Sequence, residues 1–412
     1  MTGRVRAARA VQLGSFFLLL FLLPASKAAI EIAFPLLLAG WAAERAWSGG
    51  WRSSVWSRAS LRPVLISLVA YLSACVLSIV TSTDPTLSLR GFAFKTLEYA
   101  LFAVVVADIA AQLAPVTLSA LVLLASAAMI GVDAIFQEIA GYDFLLHHAP
   151  TIYGRMTGPY ENPGDLATYL GVLLLLALSL VSWNQPGRRT ITGWGLGALI
   201  AMLGGCFVRA ESQSAWIGFA VGAGLLAGFQ RQVRTLLAGL GAALLLGATV
   251  LLHAEGRLAA AATFSDVGIK DRMVMWQTGW NMFLDRPILG QGLNTFMANY
   301  MRFWVGGERT PRYAHNCYLQ VAAETGIIGL VTYLAFFWCL FAALGIGLRR
   351  QQGPERFLVA GLMAGLAAFA VQAAADTNFY ALRQATLFWV LAGLALGLTE
   401  RMNPARAAGL AA

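Results

Sequence analysis

Residues 254–325 gather Arg272, Arg302, Arg309, Arg312 and His315, with aromatic residues between them. An arginine's planar fork fits phosphate oxygens, and a histidine exchanges a proton near neutral pH. The pairing suits chemistry on an anionic substrate with one proton to move. The rest of the chain is a different material. It is 58% hydrophobic and 12% charged, with mean hydropathy +0.68, whereas a soluble domain carries about 25% charged residues. Residues 254–325 are the one long stretch without an apolar run of membrane length. A membrane protein has concentrated its polar chemistry in one loop.

The elements that must position this loop are spanning helices, each needing about 20 mostly apolar residues. Candidate spans fall near residues 11–24, 28–43, 63–81, 95–113, 115–136, 163–183, 190–208, 213–230, 235–253, 326–346, 356–375 and 384–399. The runs are continuous and do not alternate, so they read as helices and not as barrel strands. The predicted fold is an all-α polytopic membrane protein of about twelve transmembrane helices, with a large outer loop containing amphipathic helices. Its parts are an N-terminal bundle over 1–253, the loop at 254–325, and C-terminal helices with a tail over 326–412. The first run is short and follows Arg4, Arg6 and Arg9, so it also resembles a signal peptide. A second apolar run follows after a very short turn, which favours a retained helix.

Orientation follows from basic residues, which collect on the cytoplasmic side. With the N-terminus inside, the cytoplasmic segments hold Arg4, Arg6, Arg9, Arg45, Arg52, Arg58, Arg62, Arg188, Arg189, Arg231, Arg234, Arg349, Arg350, Arg356, Arg401 and Arg406. Both termini are then cytoplasmic, and the 254–325 loop is outside. The Trp- and Arg-rich segment 44–62 (Trp47, Trp51, Trp56) reads as interfacial.

Other basic residues fall outside, where topology does not require them. Some of these arginines solvate a face, pair with outer acids or meet anionic lipid. Arg155, Arg209, Arg272 and Arg383 lie near the ends of different helices, a placement that suits convergence on one anionic ligand. The net charge of +9 is spread over membrane flanks, so nucleic acid is not implied. Cys75, Cys206, Cys317 and Cys339 are too scattered for a disulfide framework or a metal knuckle. His147-His148 lacks the ligand spacing of a metal site.

Within the loop, Met273, Trp276, Trp280 and Phe283 recur at helical spacing and predict one apolar face. Asp285-Arg286-Pro287 and Gly290-Gln291-Gly292 end that helix. A second short helix places Phe296, Tyr300 and Phe303 together. Neither is long enough to span, and both suit the outer leaflet or the roof of a cavity. His315 comes near the start of a helix that leads to Glu324 and into the span at Ile327. A helix N-terminus is an unfavourable place for an imidazolium, and a neutral histidine can accept a proton from a sugar hydroxyl.

The order Arg272-x3-Trp276, Asp285-x-Pro287-x2-Gly290-x-Gly292-x3-Phe296, His315-Asn316-x2-Leu319-x4-Glu324-x-Gly326-x2-Gly329 resembles the signature of the O-antigen ligase/polymerase superfamily. It is most similar to the lipopolysaccharide O-antigen ligases. Two segments depart from the family pattern. Ser212-Gln213-Ser214-Ala215-Trp216 has Gln213 where members often carry arginine, with Arg209 about one turn earlier. Asn162-Pro163-Gly164-Asp165-Leu166-Ala167 has Gly164-Asp165 in place of part of an Asn-Pro-Asn-x-Leu-Ala element.

The resemblance implies glycosyl transfer on the periplasmic face of a bacterial inner membrane, with membrane lipids as surroundings. The implied donor is an O-antigen on undecaprenyl pyrophosphate, and the implied acceptor is a sugar hydroxyl of the lipid A–core oligosaccharide. His315 is the expected base. Arg272, with Arg155 and Arg209, is expected to stabilise the departing pyrophosphate, and Asn316 to contact substrate. Several arginines and no DxD-like carboxylate pair suit metal-independent transfer without a cofactor. Single displacement inverts the anomeric centre, since no positioned carboxylate nucleophile is apparent. Glu161, Asp165 and Asp376 remain rival bases. An O-antigen polymerase or an O-linked oligosaccharyltransferase fits the same signature. A lipid-linked-glycan transporter fits less well, because its charges belong near the bilayer midplane.

Overall fold

The computed structural model describes residues 3–50, 54–151, 154–182, 193–238, 267–305, 312–351 and 355–401, which are helical with no strand among them. The helices used below are α1 (Gly3–Leu22), α2 (Lys27–Ser48), α3 (Arg62–Val80), α4 (Pro85–Gly91), α5 (Leu97–Gln112), α6 (Val116–Ala140), α7 (Pro163–Leu180), α8 (Gly193–Arg209), α9 (Gln213–Phe229), α10 (Val267–Asp285), α11 (Phe296–Phe303), α12 (Cys317–Arg350), α13 (Glu355–Gln372) and α14 (Leu382–Thr399). The run predicted at 235–253 lies largely outside the described residues, as do Arg309 and Trp51.

Among the described residues, seven helices are long and apolar enough to cross a membrane: α1, α3 with the turn before it (Ala59–Val80), α6, α7, α12, α13 and α14. The all-α polytopic membrane fold stands on these. At other predicted spans, α8 and α9 are apolar but shorter, α5 has 16 residues, and α2 carries Lys27, Glu31, Glu44 and Arg45. A helix also occupies the first, signal-like run: α1 packs on α2 and α6, with Gln12 Nε2 donating to Gly40 O at 3.1 Å.

Burial sorts the bundle. Helices α7 and α14 are buried almost throughout, whereas well under half of the apolar stretch of α1, α3 and α12 is buried. Lipid tails are as apolar as leucine, so helix association in a membrane relies on close packing and not on apolar burial. The Gly- and Ala-rich α14 packs along α5, and a side chain at Gly393 or Gly397 would strike the carbonyls of Ala103 and Ala107.

On the predicted cytoplasmic side, buried Asp108 takes Arg45 Nη2 at 2.9 Å, Trp41 Nε1 at 3.0 Å and Val55 N at 2.7 Å. This buried charge pair ties α2 to α5, and Asp108 also holds Val55 of the 44–62 segment. Trp47 there is half exposed, while Trp56 is buried. All four cysteines are free.

On the opposite side, α10 and α11 form a satellite core with Met282, Phe296, Tyr300, Ala314 and Ala323. Phe296 and Tyr300 point inward, as their spacing predicts. Helix α10 ends at Asp285, also as predicted, but it has two apolar faces. Met275 and Met282 are buried, while Met273, Trp276 and Trp280 face outward.

Candidate active site

Helix α12 breaks at Gly326, whose φ of 66° and ψ of −168° lie outside the helical region. The break frees backbone groups on both sides of it, and these must find partners. Residues 287–292 supply them. Ile327 N donates to Pro287 O at 2.8 Å, Gln291 N to Ala323 O at 2.9 Å, and Gly292 N to Glu324 O at 2.9 Å. The two chains approach so closely that a side chain at Gly290 would meet the Glu324 backbone, and one at Gly326 would meet Ile288 O. Both glycines also have positive φ, 72° and 66°, which side chains disfavour. The glycine motif is therefore the seam that fixes the outer loop to α12.

Glu324 completes the seam. It is 1% exposed, and its carboxylate accepts Asn294 N at 2.9 Å and Phe296 N at 3.3 Å at the start of α11. Gln320 Nε2 donates to it at 3.2 Å and Tyr380 Oη at 3.3 Å. A carboxylate at a helix N-terminus satisfies orphan amides and opposes the dipole. The Tyr380 and Tyr313 rings meet at a tilt, with centroids 5.7 Å apart, and so tie this corner to the His315 segment. Beyond Glu324 lies a small cavity lined by Tyr71, Lys95, Tyr99, Asn294 and Tyr333, in which Lys95 Nζ donates to Asn294 Oδ1 at 3.0 Å.

His315 has φ 47°, a conformation that costs energy in a non-glycine residue and marks a position held by its surroundings. Three contacts hold this segment. Trp276 Nε1, on α10, donates to His315 O at 3.4 Å. Asn316 Oδ1 caps α12 by accepting Leu319 N at 3.0 Å. Cys317 N donates to Ala373 O at 2.8 Å. The imidazole Nδ1 is buried without a hydrogen-bond partner and lies 3.7 Å from Asp376 Oδ1. That separation is long for a hydrogen bond and close enough for an ion pair, and catalytic contacts commonly tighten only when substrate binds.

Asp376 is 7% exposed and sits where four elements meet. Thr377 N donates to Oδ1 at 2.8 Å, Gln372 Nε2 of α13 to Oδ2 at 3.2 Å, and Ser214 Oγ of α9 to Oδ2 at 3.4 Å. Gly164, near the start of α7, lies against Oδ2, where a Cβ would come within 3.0 Å. Burial raises the carboxyl's pKa. The imidazole of His315, the Thr377 amide and the Gln372 side chain more than offset it, and the group is held below the usual aspartate value. A depressed carboxylate adds stability that is complete above the unfolded value, about 3.9, and is lost as pH falls through the lower folded value. The difference in melting temperature between wild type and Asp376→Asn in detergent is therefore expected to be full at neutral pH and to narrow below about pH 4.

Arg272 lies one turn before Trp276 on α10 and is half-buried. Among the described residues it has no ion-pair or hydrogen-bond partner. Arg155 donates to Ala210 O at 3.0 Å and Glu211 O at 2.7 Å, so its fork secures the α8–α9 turn that leads to Ser214. Arg209 is exposed in that turn and pairs with Glu138 and with Glu211. Arg383 is buried, bonds Pro24 O and Pro159 O, and lies over the Tyr160 ring at 4.3 Å. Of the rival bases, Glu161 is exposed and paired with Lys27 at 3.1 Å.

The structure thus brings His315, Asn316 and Asp376 into one corner, to which Trp276 of α10 bonds, with Arg272 one turn before Trp276. Arg155 and Arg209 stand at the adjoining α8–α9 turn, linked to the corner through Ser214 and Asp376. Sequence reading named Asp376 only as a rival base and gave Ser214, Gln372 and Trp276 no role at the histidine. Their spacing carries no local signal for a contact made across helices. Asn316's side-chain carbonyl oxygen is engaged in capping α12.

No curated protein matches the chain. Residues 196–334 match the family model described as O-antigen ligase. The match takes in the α8–α9 turn, Arg272 and Trp276, the glycine seam, and the His315–Glu324 segment. Asp376 and Arg155 lie outside it. With the seam and the His315–Glu324 segment inside the matched residues, the region 196–334 is similar to the O-antigen ligase family, and this match supports the O-antigen ligase/polymerase superfamily.

Proposed function

We propose that this protein is an O-antigen ligase. It moves a glycan from undecaprenyl pyrophosphate to a sugar hydroxyl of lipid A–core on the periplasmic face of the inner membrane. The observation that carries the reading is the pair of half-buried His315 and buried Asp376, held by Trp276 of α10, with Arg272 one turn along that helix. His315 Nε2 takes the acceptor hydroxyl proton as the oxygen attacks the anomeric carbon. The glycosyl–phosphate bond breaks in the same step, and undecaprenyl pyrophosphate leaves with its electron pair. Asp376 holds the ring and stabilises the imidazolium that forms. Arg272 meets the charge that develops on the leaving pyrophosphate. Attack opposite the leaving group inverts the anomeric centre.

Arg155 supports this arrangement by holding the α8–α9 turn. Arg209 must exchange Glu138 and Glu211 for phosphate oxygens to bind donor. Arg272→Ala is therefore expected to reduce transfer far more than Arg209→Ala, measured as initial rates on equal amounts of folded protein.

The test of the reaction itself uses purified protein, lipid-linked glycan and lipid A–core in the presence of a chelator. Capped lipid A–core is the expected product. Elongated lipid-linked glycan without capping makes the protein an O-antigen polymerase instead. Loss of capping in chelator, restored by a divalent cation, overturns the metal-independent step.

A further inference from the structure

We propose that α10 lies embedded in the outer leaflet, with phospholipid acyl chains covering its outward stripe. Met273 (61% exposed), Trp280 (48%) and Leu284 (56%) follow one line along the helix, with Trp276 beside them. The helix already has its protein partner on the other side, where Met275, Thr278 and Met282 are buried and Gly279 lies against Leu319 and Phe296. The outward stripe is therefore surplus to folding the loop. Its margin is polar, with Gln277 Nε2 donating to Asn281 Oδ1 at 3.0 Å. An apolar stripe with polar edges is the pattern of a helix lying in the interface plane.

Continuity names the occupant. Beyond Leu284 comes exposed Ile288, and the seam seats this segment directly on the spanning part of α12 through Ile327 N and Pro287 O. From there Ile327, Val331, Leu334 and Trp338 form the exposed stripe of α12. These residues recur at helical spacing over roughly 16 Å of rise, on a helix apolar enough to cross the membrane. The lower part of this surface is covered by lipid wherever α12 spans. The stripe of α10 leads toward the same apolar surface through Ile288, with the Asp285–Arg286 pair at the bend between them.

The consequence rests on the proposed transfer reaction. Trp276 belongs to the immersed side and holds His315 O, and Arg272 is one turn away. Immersion sets the His315–Asp376 pair at headgroup depth, where a lipid-borne phosphate reaches Arg272 without its carrier leaving the bilayer.

Depth is measurable without turnover, so its failure is separate from failure of the reaction assignment. Nitroxide labels are placed at Met273→Cys and Leu284→Cys in the Cys339→Ser protein, reconstituted into phosphatidylethanolamine–phosphatidylglycerol vesicles. Val331→Cys serves as the lipid reference and Glu161→Cys as the water reference. Both α10 labels are expected to show an oxygen-to-nickel accessibility ratio like that of Val331→Cys, several-fold above Glu161→Cys. Nickel accessibility equal to Glu161→Cys overturns the proposal. So does spin–spin broadening that disappears on dilution with unlabelled protein, which makes the occupant a second copy. Should the cysteine variants fail to fold, acyl-brominated lipids test the native stripe. The emission lost in Trp280→Phe is expected to be quenched in wild type, and unquenched emission overturns the proposal.

Discussion

Replacing Asp376 with asparagine is expected to slow glycan transfer by on the order of 10²-fold or more while leaving the protein folded. The change preserves shape. The asparagine oxygen can still accept Thr377 N, and Gln372 can turn its amide to face the new NH₂ group. What disappears is the negative charge 3.7 Å from His315 Nδ1. Without it the imidazole loses the group that fixes its orientation and stabilises its protonated form during attack. A merely structural role for Asp376 predicts an Asp376→Asn defect that tracks its melting temperature. A catalytic-positioning role predicts a lower rate at saturating donor and acceptor, in protein whose melting temperature at neutral pH accounts for little of the loss.

The second large effect is on folding. Gly290→Ala is expected to destabilise the protein by about 2–5 kcal/mol, combining the cost of a side chain in the left-handed region with overpacking against backbone. The neighbour it meets is the Glu324 main chain, which cannot swing aside as a side chain can. Moving it would break the amide bonds from Gln291 and Gly292 that satisfy the interrupted helix. Gly141→Ala is the control. Gly141 also has positive φ, 79°, but has open space around it, so only the conformational cost applies. Thermal unfolding in detergent is expected to show a modest decrease for Gly141→Ala and a severe one, or loss of the monodisperse protein, for Gly290→Ala. Equal melting temperatures would mean that the seam does not constrain the loop.

Much of this architecture was legible because membrane helices advertise themselves. Continuous apolar runs needed no tertiary information to be recognised, and α10 ends where Asp285-Arg286-Pro287 says it must. The outer helices were half legible. The period of Met273, Trp276 and Trp280 revealed an apolar face, but not that a second face, Met275 and Met282, would take the protein contact. The glycine motif was visible as a pattern, yet its cause was hidden, since nothing local announces that 287–292 will pair with a helix broken at Gly326. The site shows the same division. His315 and Arg272 stand out by residue type and order. Asp376 reaches His315 only because α7, α9, α12 and α13 converge, and that convergence has no signature along the chain. Arg155 and Arg209 were recognisable as cations near helix ends. Their use on the Ala210 and Glu211 carbonyls and on Glu138 depends on how α8 ends, which composition does not encode.

The most direct test of the central claim is single-turnover transfer by His315→Ala protein reconstituted with bound lipid-linked glycan and challenged with lipid A–core. If His315 is the base, the variant is expected to melt near wild type and to hold donor as tightly. Its product formation is expected to be lower by on the order of 10²–10⁴-fold. Capped product at the wild-type rate would contradict the assignment of the His315–Asp376 pair as the reaction centre.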